Sequence, residues 1–399
     1  MVRRGIRGVC LFLSLGTCLA AEPQADHVAV AADDAVAAFD YRVEAAPEWT
    51  ALFYRKSGVF GTDGIFSIPL DGTDANDGEE ETLIIFSDSY IGEVDAENKP
   101  RPGSKMVNNC VAYVRGLDAD AANFRFHYKT GKNGEPQTFF VPDNPKARPD
   151  QYFWLGDGFV NKAKDGQLYL FAYHVEMTGP DVFDFVVPDV SLIALPTGSR
   201  PPFSDQRQIP TPLHVEHHEI GEGNFGAGVL VNTDWANTPA PDGFIYVYGC
   251  LGPQNNLVAA RVEPARFEDF SAWRYWNGSG WDVDPGNVAA VTHSVSNELS
   301  VTALPDGRFL LVFQVAGISD KVGMRIGTSP VGPFGDIHEL WVTPEYAEGL
   351  LPYNAKAHSA LSRPGELLIS YNTITADFWN DIRKDAHIYR PRFIRLVFE

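Results

Sequence analysis

Short continuous apolar runs alternate with Gly-, Asn- and Asp-rich lead-ins along the chain, and one such unit returns five times. Each unit reads as a polar lead-in, an apolar strand, a glycine turn and a second apolar strand that ends in polar residues. The lead-ins are Gly61-Thr62-Asp63-Gly64, Leu155-Gly156-Asp157-Gly158, Asn224-Phe225-Gly226-Ala227-Gly228, Asn297-Glu298-Leu299-Ser300 and Tyr353-Asn354-Ala355-Lys356. Runs of four to six apolar residues bounded by turn residues indicate strands buried on both faces. No long segment carries the i, i+3, i+4, i+7 spacing of an amphipathic helix. A repeat of several tens of residues built only from strands predicts an all-β chain folded as a five-bladed β-propeller with four-stranded antiparallel blades.

The first four blades take strands at 64–70, 82–86, 111–115 and 124–128; 159–163, 167–173, 191–195 and 206–209; 228–231, 244–248, 257–262 and 273–276; 299–304, 309–315, 322–327 and 337–341. The fifth takes 358–361, 367–371 and 392–398 and is one strand short. Residues 49–54 are the expected donor of the missing strand, pairing the two chain ends and closing the ring. Asp165-Gly166, Asp242-Gly243 and Asp306-Gly307 fall at equivalent hairpin tips, where positive φ is needed.

The start of the chain reads differently. Arg3, Arg4 and Arg7, the apolar residues 9–15 and Cys18-Leu19-Ala20 have the layout of a secretory signal over residues 1–20. A lipid anchor on Cys18 is the rival reading, which Thr17 fits poorly. Residues 21–45, Ala- and Asp-rich at first, are expected to be a flexible leader, and 46–399 a single propeller domain in a secreted or periplasmic monomer. No stretch supplies the roughly twenty apolar residues of a membrane helix.

Without the three signal arginines the 32 basic residues fall to 29, against 52 acidic ones, a net charge near −23. Such a surface repels nucleic acid and anionic membranes but is compatible with a neutral polysaccharide or oligosaccharide. After the signal, Cys110 and Cys250 are the cysteines that remain; they could pair or stay as buried thiols.

In a propeller the starts of first strands and the ends of second strands meet at one face around the axis. Those positions hold Asp63, Asp157, Asn224, Glu298, Asn354 and His358, with Asp88, Tyr173-His174, Gln314 and Asn372 from the strand ends. Carboxylates converging on a concave site push one pKa up, as general acid catalysis needs. Against this, Asp beside Gly makes turns, Glu298 has an ion pair with Lys356 or an arginine open to it, and Asp88 could bond to the backbone of the 61–64 lead-in. Trp154 and Trp235 are placed to stack on sugar rings. His214-Val215-Glu216-His217-His218-Glu219, with Glu222 nearby, looks like a metal tract but has no known zinc spacing, so a polar loop is expected. No metal or other cofactor is expected, although His358 could orient a central calcium ion.

Gly61-Thr62-Asp63-Gly64, Ile85-Phe86-Ser87-Asp88-Ser89-Tyr90-Ile91-Gly92 and Met106-Val107-Asn108-Asn109 resemble the propeller families labelled domain of unknown function 4185 or 5005. Gly327-Thr328-Ser329-Pro330-Val331-Gly332-Pro333-Phe334 and residues 353–358 resemble their later blades and those of five-bladed furanosidases. Some members are linked to endo-D-arabinanases. The resemblance implies a glycoside hydrolase of furanoside-containing glycans, with Asp63, Asp157 and Glu298 as the catalytic carboxylates. Asp63 would be nucleophile or base, Glu298 the acid and Asp157 the group tuning it. Asp88, Trp154, His174, Asn224, Trp235, Asn354 and His358 would bind substrate. A non-catalytic carbohydrate-binding propeller is the alternative, and a lyase using His358 and Tyr173 a third.

Overall fold

The computed structural model describes residues 39–74 and 78–399. The expected signal, Cys18 and the leader up to residue 38 lie outside the described residues. Among the described residues the chain is all-β, and no helix is long and apolar enough to cross a membrane.

Five antiparallel sheets follow one another along the chain, each built on an inner strand and its successive hairpin partners. Sheet I is Phe66–Pro69, Glu81–Phe86, Cys110–Arg115 and Phe124–His127. Sheet II is Tyr152–Asn161, Gln167–Met177, Phe185–Leu195 and Arg207–Pro210. Sheet III runs Gly221–Asn232, Phe244–Leu251, Asn256–Val262 and Arg274–Trp276, with His214–His217 added at its inner edge and Trp281–Asp282 at its outer edge. Sheet IV is Leu299–Ala303, Phe309–Gln314, Lys321–Gly327 and His338–Val342. Sheet V is Leu351–Ala357, Glu366–Ile374, Arg392–Phe398 and Tyr41–Ala45.

The inner strands touch in cyclic order, I to II to III to IV to V, and the turn Ser359–Leu361 after the last inner strand meets Phe66–Pro69 of the first. A separate apolar cluster fills each junction between neighbouring sheets. This is why strands such as Leu310–Phe313 are apolar without alternation: both faces are covered. Hydrogen bonds cross the same junctions near the axis. Leu155 N donates to Ser87 Oγ (3.0 Å), Val229 N to Asp157 Oδ2 (2.7 Å) and Ala357 N to Ser300 Oγ (2.8 Å). His358 Nδ1 meets Ser67 Oγ at 3.1 Å, joining sheet V to sheet I.

The strand that completes sheet V differs from the expected one. Tyr41–Ala45, assigned to the leader, pairs antiparallel with Arg392–Phe398, Tyr41 opposite Phe398. Residues 49–54 instead begin in a helical turn, Pro47–Ala51, with Pro47 at its first position. Trp49 (2 % exposed) and Phe53 (1 %) sink into the cluster between sheets I and V. Each such burial is worth about 2 kcal/mol. Apolar residues at 46, 49 and 53 have helical spacing, whereas Tyr41 and Val43 alternate with charges as an edge strand does. Arg395 ties both segments down through Glu44 (3.5 Å), Glu48 and, within its own sheet, Glu366 (2.9 Å).

The fifth inner strand also lies earlier than expected, at Leu351–Ala357, because residues 359–361 form a 3-10 turn. The Asp-Gly tips take positive φ at Gly166, Gly243 and Gly307. Cys110 and Cys250 are buried on sheets I and III and are not joined in a disulfide.

Deleting residues 39–45 should leave Arg392–Phe398 as an open edge and cost about 2–4 kcal/mol of apolar burial. The expected readouts are a lower thermal midpoint by calorimetry and concentration-dependent association by light scattering.

Candidate active site

A small sheet, Ser57–Thr62, Ser89–Glu93 and Lys105–Val107, is interleaved in the chain with the strands of sheet I. Its first strand delivers Asp63 and its second departs just after Asp88. Asp63 N donates to Asp88 O (3.2 Å) and Ser87 N to Asp63 O (3.0 Å), so the two acids face each other across a backbone pair. Gly64 makes the turn at φ +61°, and a Cβ there would lie 2.5 Å from Ser87 Oγ. The lead-in glycine is thus required both for conformation and for space.

The Tyr353 hydroxyl donates to Asp63 Oδ2 (2.7 Å), while Oδ1 is buried with no hydrogen-bond partner. Asn108 Nδ2 donates to Asp88 Oδ1 (3.0 Å). The Trp154 indole approaches the Asp88 carboxylate and favours its charge without reaching hydrogen-bond geometry. Tyr389 donates to the Asp88 carbonyl oxygen (3.3 Å). Burial, then the charges of Asp88 and Glu298, push the Asp63 carboxyl up to about 8, against the Tyr353 and Tyr389 hydroxyls. Burial raises Asp88 to about 6, against Asn108 and Trp154.

Glu298 reaches the same site from sheet IV. Asn354 Nδ2 donates to its Oε1 (2.7 Å), and Lys356, 1 % exposed, forms an ion pair with its Oε2. Burial raises the Glu298 carboxyl and Lys356 opposes the rise. A β-bulge between Tyr353 and Lys356, with Asn354 at φ +57°, lets near-adjacent residues serve different acids: Tyr353 holds Asp63, while Asn354 and Lys356 hold Glu298. The inner strands of sheets II and III carry bulges at the matching places, Leu155/Gly158 and Phe225/Gly228.

The structure therefore brings Asp63, Asp88 and Glu298 together, with Trp154 and Asn354 beside them. Asp157 stands apart from this trio. Its Oδ1 accepts from Gly158 N (2.8 Å) and its Oδ2 from Val229 N (2.7 Å), which joins sheets II and III. Burial pushes it up to about 7 against those bonds and Lys356. It lines an axial cavity of roughly 70 Å³ together with Asp74, Phe66 and Lys356, none of the trio among its walls.

Of the other four expected binding residues, three are committed to structure. His358, 1 % exposed, has Nδ1 on Ser67 Oγ and Nε2 on Ser370 Oγ (2.7 Å), and burial holds it near 3. With both nitrogens engaged it does not fit a central ion. His174 sits inside sheet II between Gln151 Oε1 (3.1 Å) and Ser191 Oγ (2.8 Å), held near 4 by burial. Asn224 links His214 Nδ1 (3.0 Å) to Val187 O (3.3 Å). Trp235 follows the far end of the sheet III inner strand, beside Ala236, whose carbonyl accepts from Asp74 N. The His-rich tract is a strand rather than a loop. It pairs with the following strand so that Glu216 faces Glu222, and with His214 these offer ligand atoms within 4.8 Å of one another.

Tyr353, Tyr389, Lys356, Asn108 and Tyr152 were not singled out as site residues in the sequence. Tyr152, next to Trp154, is raised by burial and by the charges of Asp88 and Asp63. Lys356 and Tyr353 belong to a recurring lead-in, which was the available signal; Tyr389 ends the 3-10 turn Ala386–Tyr389 and carries none.

This fold and site define an all-β, propeller-like protein with a carboxylate cluster at the axial ends of its inner strands. The chain belongs to the family described as domain of unknown function DUF5005, which residues 47–398 match. No curated protein matches it. Among solved structures it is similar to a candidate hydrolase from Bacteroides ovatus ATCC 8483, 20% identical, covering 89% of this chain and 90% of that one at a TM-score of 0.67. It is also similar to the GH43_1 enzyme from Xanthomonas citri complexed with xylose, 13% identical, covering 86% and 92% at 0.42. A third is 1,3Gal43A, an exo-β-1,3-galactanase from Clostridium thermocellum, 10% identical, covering 83% and 62% at 0.42. The first likeness is one of fold.

Asp63 keeps its proton to about pH 8 when folded but only to about 4 when unfolded. Its contribution to stability is therefore full at low pH and is lost as pH rises from about 4 through 8. Asp63→Asn should melt above the wild type at pH 8 to 9, with the difference closing toward pH 4, as measured by differential scanning calorimetry.

Proposed function

We propose that the five sheets are the blades of a five-bladed propeller and that the chain is an exported glycoside hydrolase of a furanoside-containing, arabinan-like glycan. The observation that carries the reading is the Asp63–Asp88 pair, two adjacent carboxyls whose surroundings separate their pKa values to about 8 and about 6. Carboxyl pairs pushed apart in this way divide into acid and base. Between those values Asp63 carries a proton and Asp88 is ionised.

This reverses the roles expected from sequence. Asp63 is the general acid: its proton passes to the glycosidic oxygen as the bond from that oxygen to the anomeric carbon breaks. Asp88 is the carboxylate that meets the anomeric carbon, directly or by taking a proton from the water that adds there. Tyr353 bonds Oδ2 of Asp63 and leaves Oδ1 as the oxygen aimed at the leaving group. Glu298, paired with Lys356 and bonded by Asn354, stands beside the oxocarbenium-like transition state. Asp157, bonded to two backbone amides, holds blades together.

Tyr152, Trp154 and Phe185, in edge contact with one another (6.0 and 4.8 Å), supply apolar faces beside Asp88 on which sugar rings stack. The same wall serves the second reading, a carbohydrate-binding propeller without catalysis. The lyase reading loses His358, which is neutral and locked between serines.

Release of oligosaccharides from arabinans, fructans and galactans is the direct test. Asp63→Asn and Asp88→Asn should each lower kcat/KM by about 10²–10⁴ with unchanged circular dichroism, as loss of acid–base catalysis does. Glycan binding that persists in Asp63→Asn/Asp88→Asn/Glu298→Gln, with no hydrolysis by the wild type, would select the binding module instead.

For the wild type, kcat/KM should be bell-shaped, falling below about pH 6 as Asp88 gains a proton and above about pH 8 as Asp63 loses one. A single sigmoid would remove one of the two from its role.

A further inference from the structure

Lys356 is the feature of the axis that the proposed chemistry does not use. Its ammonium is 1 % exposed, paired with Glu298 Oε2, and 4.5 Å from the centre of the Phe66 ring. A lysine that deeply buried needs a counter-charge, and removing either partner of such a pair leaves the other uncompensated. Asn354 fixes the opposite oxygen of Glu298 at 2.7 Å from a left-handed backbone position that few residues adopt. The carboxylate is thus clamped from both sides in a single orientation.

The titratable groups around this pair lie on several elements. Asp63 and Asp88 approach from sheet I and its small companion, Tyr353 from sheet V, Asp157 and Tyr173 from sheet II, and Asp74 from the loop after Phe66–Pro69. Glu298 is felt by Asp63, Tyr173 and Tyr353; Lys356 is felt by Glu298, Asp157 and His358.

We propose that Lys356 is a positioning residue, a built-in axial cation that keeps Glu298 ionised so that the Glu298 charge in turn keeps the proton on Asp63. It sits one sheet away from Asp63 and transmits its effect through a single carboxylate. The link to turnover rests on the hydrolase reading above; the charge relay itself does not.

The experiment compares wild type, Lys356→Met, Lys356→Arg, Glu298→Gln and Lys356→Met/Glu298→Gln in the full chain. Melting midpoints at pH 7 should fall in Lys356→Met and recover in large part in the double variant, which buries a neutral pair. The Asp63 titration is read from the alkaline limb of kcat/KM or, with no substrate at all, from carbon-detected carboxyl NMR. It should move to lower pH by about one unit in Glu298→Gln and Lys356→Met, a tenfold change in proton affinity, and stay in place in Lys356→Arg. A double variant no more stable than Lys356→Met, or an Asp63 titration unmoved in Glu298→Gln, would overturn the proposal. A wild type that releases no sugar while these shifts appear would remove the hydrolase reading and leave the relay standing.

Discussion

Concentrating negative charge at the axis is the constraint around which this chain is organised. Successive contact of the inner strands of sheets I to V, with the turn Ser359–Leu361 against Phe66–Pro69, encloses a region where Asp63, Asp88, Glu298 and Asp157 are out of bulk water. A buried carboxylate is costly unless it is neutral, paired or hydrogen-bonded. The four acids meet that cost in different ways. Glu298 takes an ammonium and Asp157 takes two backbone amides. Asp88 takes an amide side chain, and Asp63, with a tyrosine on one oxygen and nothing on the other, keeps its proton. Chemical differentiation of identical side chains follows from how each is compensated.

The bulges explain how so many partners fit in so little space. A regular strand points every second residue the same way, so Tyr353 and Lys356 would face opposite sides. The extra residue at Asn354 breaks that alternation and turns both toward acids on different sheets. The same device at Leu155/Gly158 points Asp157 across to Val229. Local irregularity is therefore placed where the ring needs cross-links, and the site inherits rigid support from those junction bonds. Ser67–His358–Ser370 does the same at the seam between the last sheet and the first.

Much of the fold was legible because each blade-like unit carries its own local signals. Apolar runs such as 83–86 and 309–313 and glycines at hairpin tips are properties of a few neighbouring residues. The misplaced closing strand has an equally local cause. Two short candidates compete there, and the Ala- and Asp-rich residues before Tyr41 hid a five-residue alternation, while Trp49 and Phe53 read as strand until their spacing with Ala46 is seen against a buried face. For the site, the strand-start positions pointed to Asp63 and Glu298 but passed over Tyr353, Lys356 and Tyr152, and they did not show how each residue is used. His174 and His358 look chemically able in sequence; only their packing reveals that serines and a glutamine occupy both nitrogens.

The amino-acid sequence by itself determined that the chain is all-β, that it repeats, that its surface is strongly acidic, and that acids recur where inner strands begin. These follow from composition and periodicity, which act over a few residues at a time. Tertiary structure alone decided which acids meet. Asp63 and Asp88 lie 25 positions apart and are joined by a backbone pair, whereas Asp63 and Asp157, equivalent by repeat, are not neighbours in charge. Proton affinity depends on burial and on charges arriving from other sheets. Those quantities come into being only when the strands are assembled around the axis.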